Sequence, residues 1–179
     1  MVKWLLLSAL TGGVTLLIYL YVYLGASKPV TFTQKEVGPL PLLYKIHTGP
    51  YHQIMSNIHA AEAWARENKM DCSRTFGEFL DDPKAVDEDR LRSRVGCILE
   101  RPPDGVALGD FTFELRPARH YAVAHFGGSP SIGPFKVYPK LQDYLQSERL
   151  ATNLDPVIEV YRVNGDHVET EYLFPLSDK

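Results

Sequence analysis

A chain of 179 residues, 23% of them charged and with a formal net charge of −3, carries no basic stripe, so direct nucleic-acid binding is not expected. Its two cysteines, Cys72 and Cys97, form no Cys-x-x-Cys pair and have no histidine at ligand spacing. A zinc site or a disulfide framework is therefore not expected; two partly buried free thiols are, with no metal and no cofactor.

The chain opens on residues 4–24, Trp4 to Leu24, 21 positions without a charge. At ~1.5 Å per residue such a helix spans a hydrocarbon core of ~30 Å. Tyr19, Tyr21 and Tyr23 gather at its far end, as interfacial aromatics do. A cleaved signal peptide is the competing reading, but its apolar region runs only about 7–15 residues. The stretch "YLGAS" also puts the bulky Leu24 close to the would-be cut. An uncleaved single-pass anchor is therefore expected, with the membrane as partner through residues 4–24. The flanking lysines do not fix its orientation.

After a polar linker, residues 30–48 read as extended, interrupted near Pro39 and Pro41. Tyr51 to Asn68 reads as a helix, since Ile54, Ile58, Ala61 and Ala65 recur with its period. "SRTFGEFL" and "LRSRVGCILE" then make two strands around a polar loop. Residues 101–110 form a linker rich in proline and glycine, and the same order returns. "FTFELRPARHYAVAHFG" is extended, Pro139 opens a helix through about Arg149, and "PVIEVYRV" and "HVETEYLFPL" close a hairpin across Asn-Gly.

The expected class is α+β: duplicated strand–helix–strand–strand units after one N-terminal transmembrane helix. The anchor covers 1–27 and the domain 28–179, with repeat one at about 30–100 and repeat two at about 111–176. The doubling explains why His47-Thr48-Gly49 is echoed by His125-Phe126-Gly127. Glycine turns the chain out of each strand. The histidines read as structural, since no carboxylate or second histidine lies near them in sequence.

The last hairpin carries the candidate chemistry. A two-residue turn would put Glu159 with Val157, Tyr161, Val168, Tyr172 and Phe174, mixing acid and apolar bulk. A three-residue turn with Gly165 left-handed separates them, placing Val157, Glu159, Tyr161, Glu169, Glu171 and Leu173 together, away from the helices. Burial favours the second register. Glu159, Tyr161, Glu169 and Glu171 then form the candidate ligand-binding face, with Glu159, Tyr161 and Glu171 the catalytic candidates. If the first unit covers that face, crowded carboxylates raise at least one pKa and favour a cation. The alternative is a solvated face of an antiparallel sheet.

The doubled plan, "HTGPYHQI" and the ending "TEYLFPL" resemble the GyrI-like superfamily. With the uncharged N-terminal segment, "LLYKIHTGPY", "RVGCIL", "IEVY" and "FPL", the chain is similar to the membrane-anchored branch typified by testis-expressed protein 264. The broader resemblance implies a cleft binding lipophilic, often cationic small molecules by a buried glutamate and aromatics. It also implies, as the alternative, a small hydrolase of electrophilic cyclopropane-type toxins with a glutamate general base. The narrower resemblance implies the endoplasmic reticulum membrane, a cytosolic domain and protein partners, in receptor or adaptor roles in selective autophagy and protein–DNA crosslink repair. The acidic tail on which the autophagy role depends does not follow the domain before Lys179.

Overall fold

The computed structural model describes residues 2–152, 156–165 and 167–177, without the side chains of Leu5, Leu6, Ala9 and His167. Helix α1, Val2–Tyr23, is followed by a Gly25-centred turn. Ser129 N donates to Leu24 O at 2.9 Å and Lys28 Nζ to Gly127 O, so the end of α1 is held on the loop before α3. Among the described residues no helix is long and apolar enough to cross a membrane. Leu5, Leu6 and Ala9 of α1 are outside that description.

The described strands are β1 (Val30–Val37), β2 (Leu40–Thr48), β3 (Arg74–Phe79), β4 (Arg92–Ile98), β5 (Thr112–Arg116), β6 (Arg119–Phe126), β7 (Ile158–Asn164) and β8 (His167–Pro175). They form one antiparallel sheet in the order β1-β6-β8-β7-β3-β4-β2-β5. The order reads as two like halves, β6-β8-β7 and β2-β4-β3, joined at β7–β3. Each half is completed by the strand that precedes the other half in sequence.

That order forces a curl. β1 and β2 are joined by Gly38–Pro39 alone, yet six strand positions separate them. In a flat sheet that gap is about 29 Å, at ~4.8 Å per strand, whereas the connection reaches about 11 Å. β5 and β6, joined by Pro117–Ala118, face the same constraint. The sheet therefore bends until the two connections meet: a Cβ on Gly38 would lie 2.8 Å from Ala118 Cα.

Curling gives the sheet two buried faces. Inside lie Leu42, Tyr44, Phe76, Ile98, Tyr121, Val123, Ile158, Val160 and Leu173. Outside, α2 (Met55–Glu67) packs on β2 and β4, and α3 (Gly133–Glu148) packs on β1 and β6. The expected helix stripe is observed, with Ile58, Ala61 and Ala65 buried in α2 and Ile54 just before it. Tyr51–Gln53 forms a 3-10 turn ahead of it. The central strands β3 and β7 lie between the two helices.

Several expectations are corrected. Helix α3 begins six residues before Pro139, which is interior to it, while Pro134 occupies the first turn. Proline is tolerated in the first turn, whereas at 139 it removes the bond to the Phe135 carbonyl from the helix interior. The last hairpin takes the two-residue register, Asn164 opposite His167 and Glu159 opposite Tyr172. The three-residue register suits a sheet with one dry face and one wet face, whereas here both faces are covered. His47 and His125 are not equivalent either. His47 shares the outer face through Ser93 and Phe79, whereas His125 stands opposite Glu171 on the inner one.

The two cysteines are not free thiols: Cys72 and Cys97 form a disulfide, with Cα atoms 5.4 Å apart. Antiparallel pairing of β3 with β4 brings the loop leaving α2 against Cys97, which is fully buried. Nothing in a lone pair of cysteines 25 positions apart announces this. Closing a loop of 25 residues contributes about 3 kcal/mol in the chain-entropy view. Urea unfolding with and without reductant should differ by about that amount, and replacing both cysteines by alanine should abolish the difference.

Candidate functional site

The site grows from one pleat of β7. Glu159 stands opposite Gly77 of β3 on one side and Tyr172 of β8 on the other, so all three point to the outer face. Two residues on, Tyr161 faces Thr75 and Thr170 on that same side. Gly77 leaves room above the sheet that other side chains use: a Cβ there would meet Phe79 Cζ at 3.1 Å and Ile54 Cδ1 at 3.6 Å.

Aromatic rings wall the carboxyl in. Tyr51 and Phe79 have ring centres 4.6 Å apart on the α2 side. On the α3 side Tyr138 meets Phe174 edge-on at 5.6 Å and Tyr172 at 6.3 Å. Ile54, Ile58 and Val95 cluster with Phe79 and Tyr161. Glu159 is 4% exposed as a result.

A carboxyl in such surroundings needs partners. Tyr161 Oη donates to Glu159 Oε2 at 3.1 Å, and the Tyr138 hydroxyl donates to the same carboxyl. Burial nevertheless outweighs both bonds and pushes Glu159 up to about 7 from the usual 4.5. The three phenols, Tyr138, Tyr161 and Tyr172, are pushed well above their ordinary range, first by burial and then by the charge of Glu159. Around neutral pH the site is thus a carboxyl on the edge of ionising inside an aromatic cage.

The candidate face divides. Glu159 and Tyr161 are together, but Glu171 stands opposite Val160 and His125 on the inner face. There it meets Lys35 Nζ at 3.0 Å, His125 Nδ1 at 3.5 Å and Arg162 Nη2 at 3.5 Å. Burial raises its pKa, yet the bond from Lys35 and the charges of Lys35, Arg162 and His125 bring the net value below the ordinary one. Glu169 pairs in register with Arg162 on that inner side and is exposed. Neither acid shares a cleft with Glu159, because the hairpin register moved both to the opposite face.

Two site residues escaped the sequence. Tyr138 lies just before Pro139, outside the expected helix; Tyr172 faces the helices as expected, but Glu159 and Tyr161, expected to point away from them, share that side with it. Glu78, 2% exposed, is a second buried acid, but Arg94 and Arg116 hold it. The surface recesses lie elsewhere, one along α1 and one of about 550 Å³ beside Arg116, Arg119 and His120. Its lining acids, Glu36 and Glu114, already pair with His120 and Arg116. Among the described residues no cluster of histidine, cysteine and acid could hold a metal.

Residues 31–177 match the family model described as the GyrI-like small molecule binding domain. The chain belongs to the GyrI-like family. It is 32% identical over 82 residues to DNA gyrase inhibitor 2 of Dickeya dadantii (strain 3937), a match covering 43% of this chain and half of that protein. The fold is shared with the EcmrR C-terminal domain, at 17% identity and a TM-score of 0.63 over 84% of this chain and 99% of that one. EcmrR in a DNA complex aligns at 12% identity and a TM-score of 0.65, covering 99% of this chain and 70% of that one. SAV2435 bound to tetraphenylphosphonium aligns at 12% identity and a TM-score of 0.52, covering 82% of this chain and 94% of that one. These matches are to the GyrI-like family at large; they do not bear on the membrane-anchored branch.

A GyrI-like domain with this carboxyl should show it in its stability. Between about pH 4.5 and 7 the folded state keeps a proton on Glu159 that the unfolded chain has released. Its contribution is thus complete below about pH 4.5, falls by about 3 kcal/mol as pH rises towards 7, and is flat above. Glu171 works in the opposite sense, at acid pH: its contribution is present above the ordinary glutamate value and lost as pH falls through the lowered one. Urea unfolding at pH 5 and pH 8 should therefore give wild type a decline that Glu159→Gln lacks, about 3 kcal/mol between the two proteins.

Proposed function

We propose that this chain is a binding domain for lipophilic, cationic small molecules, with Glu159 as the partner of the cation. The observation that carries the reading is a carboxyl 4% exposed, on a central strand between two helices, with phenols and, among the described residues, no basic side chain bonded to it. A cation that replaces the phenol bonds ionises the carboxyl, while its apolar bulk packs on Tyr51, Phe79, Tyr138 and Phe174. The tetraphenylphosphonium held by SAV2435 is a cation of that chemistry. Entry is through Tyr138, 38% exposed and adjacent to Pro139, where the helix lacks one backbone bond.

Tetraphenylphosphonium is the direct probe. Its affinity should rise about tenfold from pH 6 to pH 8 as the carboxyl ionises. Glu159→Gln should weaken binding at pH 8 by about 1–3 kcal/mol with the fold intact. Calorimetric titration at the two pH values checks both; equal affinity of the two proteins at pH 8 would reject the site.

A second reading, hydrolysis of electrophilic small molecules with Glu159 as general base, is favoured by the carboxyl's value near 7. Turnover of a cyclopropane-bearing electrophile that is lost in Glu159→Gln would establish it. Nothing in the site calls for the adaptor roles that the narrower resemblance implies.

The tether to a membrane rests on the sequence, where residues 4–24 carry no charge and include Leu5, Leu6 and Ala9. The buried disulfide favours the oxidising side of that membrane over the cytosolic side implied by resemblance. Alkaline extraction should leave the full chain in the membrane fraction, and a chain starting at residue 25 should be released.

A further inference from the structure

We propose that the ligand carries a hydrogen-bonding group beside its cationic centre, and that the hydroxyls of Tyr172 and Thr170 bind it. This deepens the reading of Glu159 as the cation's partner and rests on it. The inference starts from two buried hydroxyls with no hydrogen-bond partner among the described residues, Tyr172 Oη and Thr170 Oγ1. Their residues are 0% and 1% exposed.

Their position gives them a use. Tyr172 is the cross-strand partner of Glu159, and Thr170 is the partner of Tyr161. The four side chains thus form a square on the outer face, with Glu159 and Tyr161 on β7 and the two unpartnered hydroxyls on β8. Cross-strand neighbours have Cβ atoms about 5 Å apart. The charge of Glu159 also acts on the Tyr172 phenol, so a polar group a few bonds from a nitrogen on Glu159 lies on the side where that hydroxyl stands. Two phenols donate to Glu159, whereas the third on this face, Tyr172, has no share of the carboxyl.

The protein also keeps space for this hydroxyl. A Cβ on Gly133, the first residue of α3, would collide with Tyr172 Oη. A buried polar atom without a partner carries a desolvation cost, whereas phenylalanine would fill the same cage without it. A ligand supplying a hydroxyl, ether or carbonyl oxygen recovers that cost. The ligand class is then a protonated amine bearing such an oxygen a short distance from its nitrogen, rather than a bare onium ion.

Three probes separate the possibilities in calorimetric titrations of the full chain: propranolol, its deoxy analogue lacking the hydroxyl, and tetraphenylphosphonium. Wild type should bind propranolol about 5- to 10-fold tighter than the deoxy compound. In Tyr172→Phe that preference should vanish through loss of propranolol affinity, with the other two probes within about twofold of wild type. The unliganded variant should be at least as stable as wild type, since no bond is lost. Thr170→Val is the independent second variant and should narrow the same preference. A wild type with no preference, a preference intact in both variants, or an equal loss for all three probes would overturn the proposal. If Tyr172→Phe behaves as wild type while Glu159→Gln weakens all three probes, only the hydroxyl proposal falls. If Glu159→Gln weakens none, the cation reading falls with it.

Discussion

Two connections of two residues each govern this molecule. Gly38–Pro39 and Pro117–Ala118 join strands six positions apart in one sheet, and a chain that short cannot cross a flat sheet of that width. Curling is the consequence, and it removes the ordinary distinction between a core face and a solvent face. The inner face closes on itself around Leu42, Phe76, Val123 and Ile158, while the outer face is left for the helices. An acid on either face of these strands can then be buried or partly buried, as Glu159 and Glu171 are.

Glu159 and Glu171 show the two outcomes. Glu171 points inward at the rim, where Lys35, His125 and Arg162 surround it, and its charge is stabilised. Glu159 points outward between α2 and α3, and among the described residues only phenols bond to it. Two residues of like type, twelve positions apart on one hairpin, thereby acquire opposite shifts. For the first, the Lys35 bond and the surrounding charges together outweigh desolvation; for the second, desolvation outweighs the two phenol bonds. An acid held by cations is a structural group; an acid held by neutral phenols in an aromatic cage remains open to exchange for a ligand's cation.

The buried disulfide and the charged group around Glu78 stiffen the half that carries α2, whereas α3 begins beside a loop fixed to the end of α1 and contains an interior proline. The cage is thus assembled from two differently held walls, and Tyr138 belongs to the one that carries the interior proline.

Much was determined by sequence alone. Periodicity placed Ile58, Ala61 and Ala65 on the buried side of α2, and turn chemistry marked the hairpins. The doubled order of elements pointed to an α+β domain, and its motifs to the GyrI-like family. Glu159 and Tyr161 were legible as a pair because two residues apart on a strand means one face, whatever the register. What lay opposite them was not legible. The turn after Asn164 decides parity for all of β8, and a one-residue difference exchanges Glu171 for Tyr172 beside Glu159. Local patterning presumes one wet face, and only the closed tertiary structure shows that there is none. The same holds for Cys72 and Cys97, for Tyr138 over Glu159 and for His125 beside Glu171: each contact joins residues distant in sequence, brought together by strand pairing or by packing of α3 on the sheet.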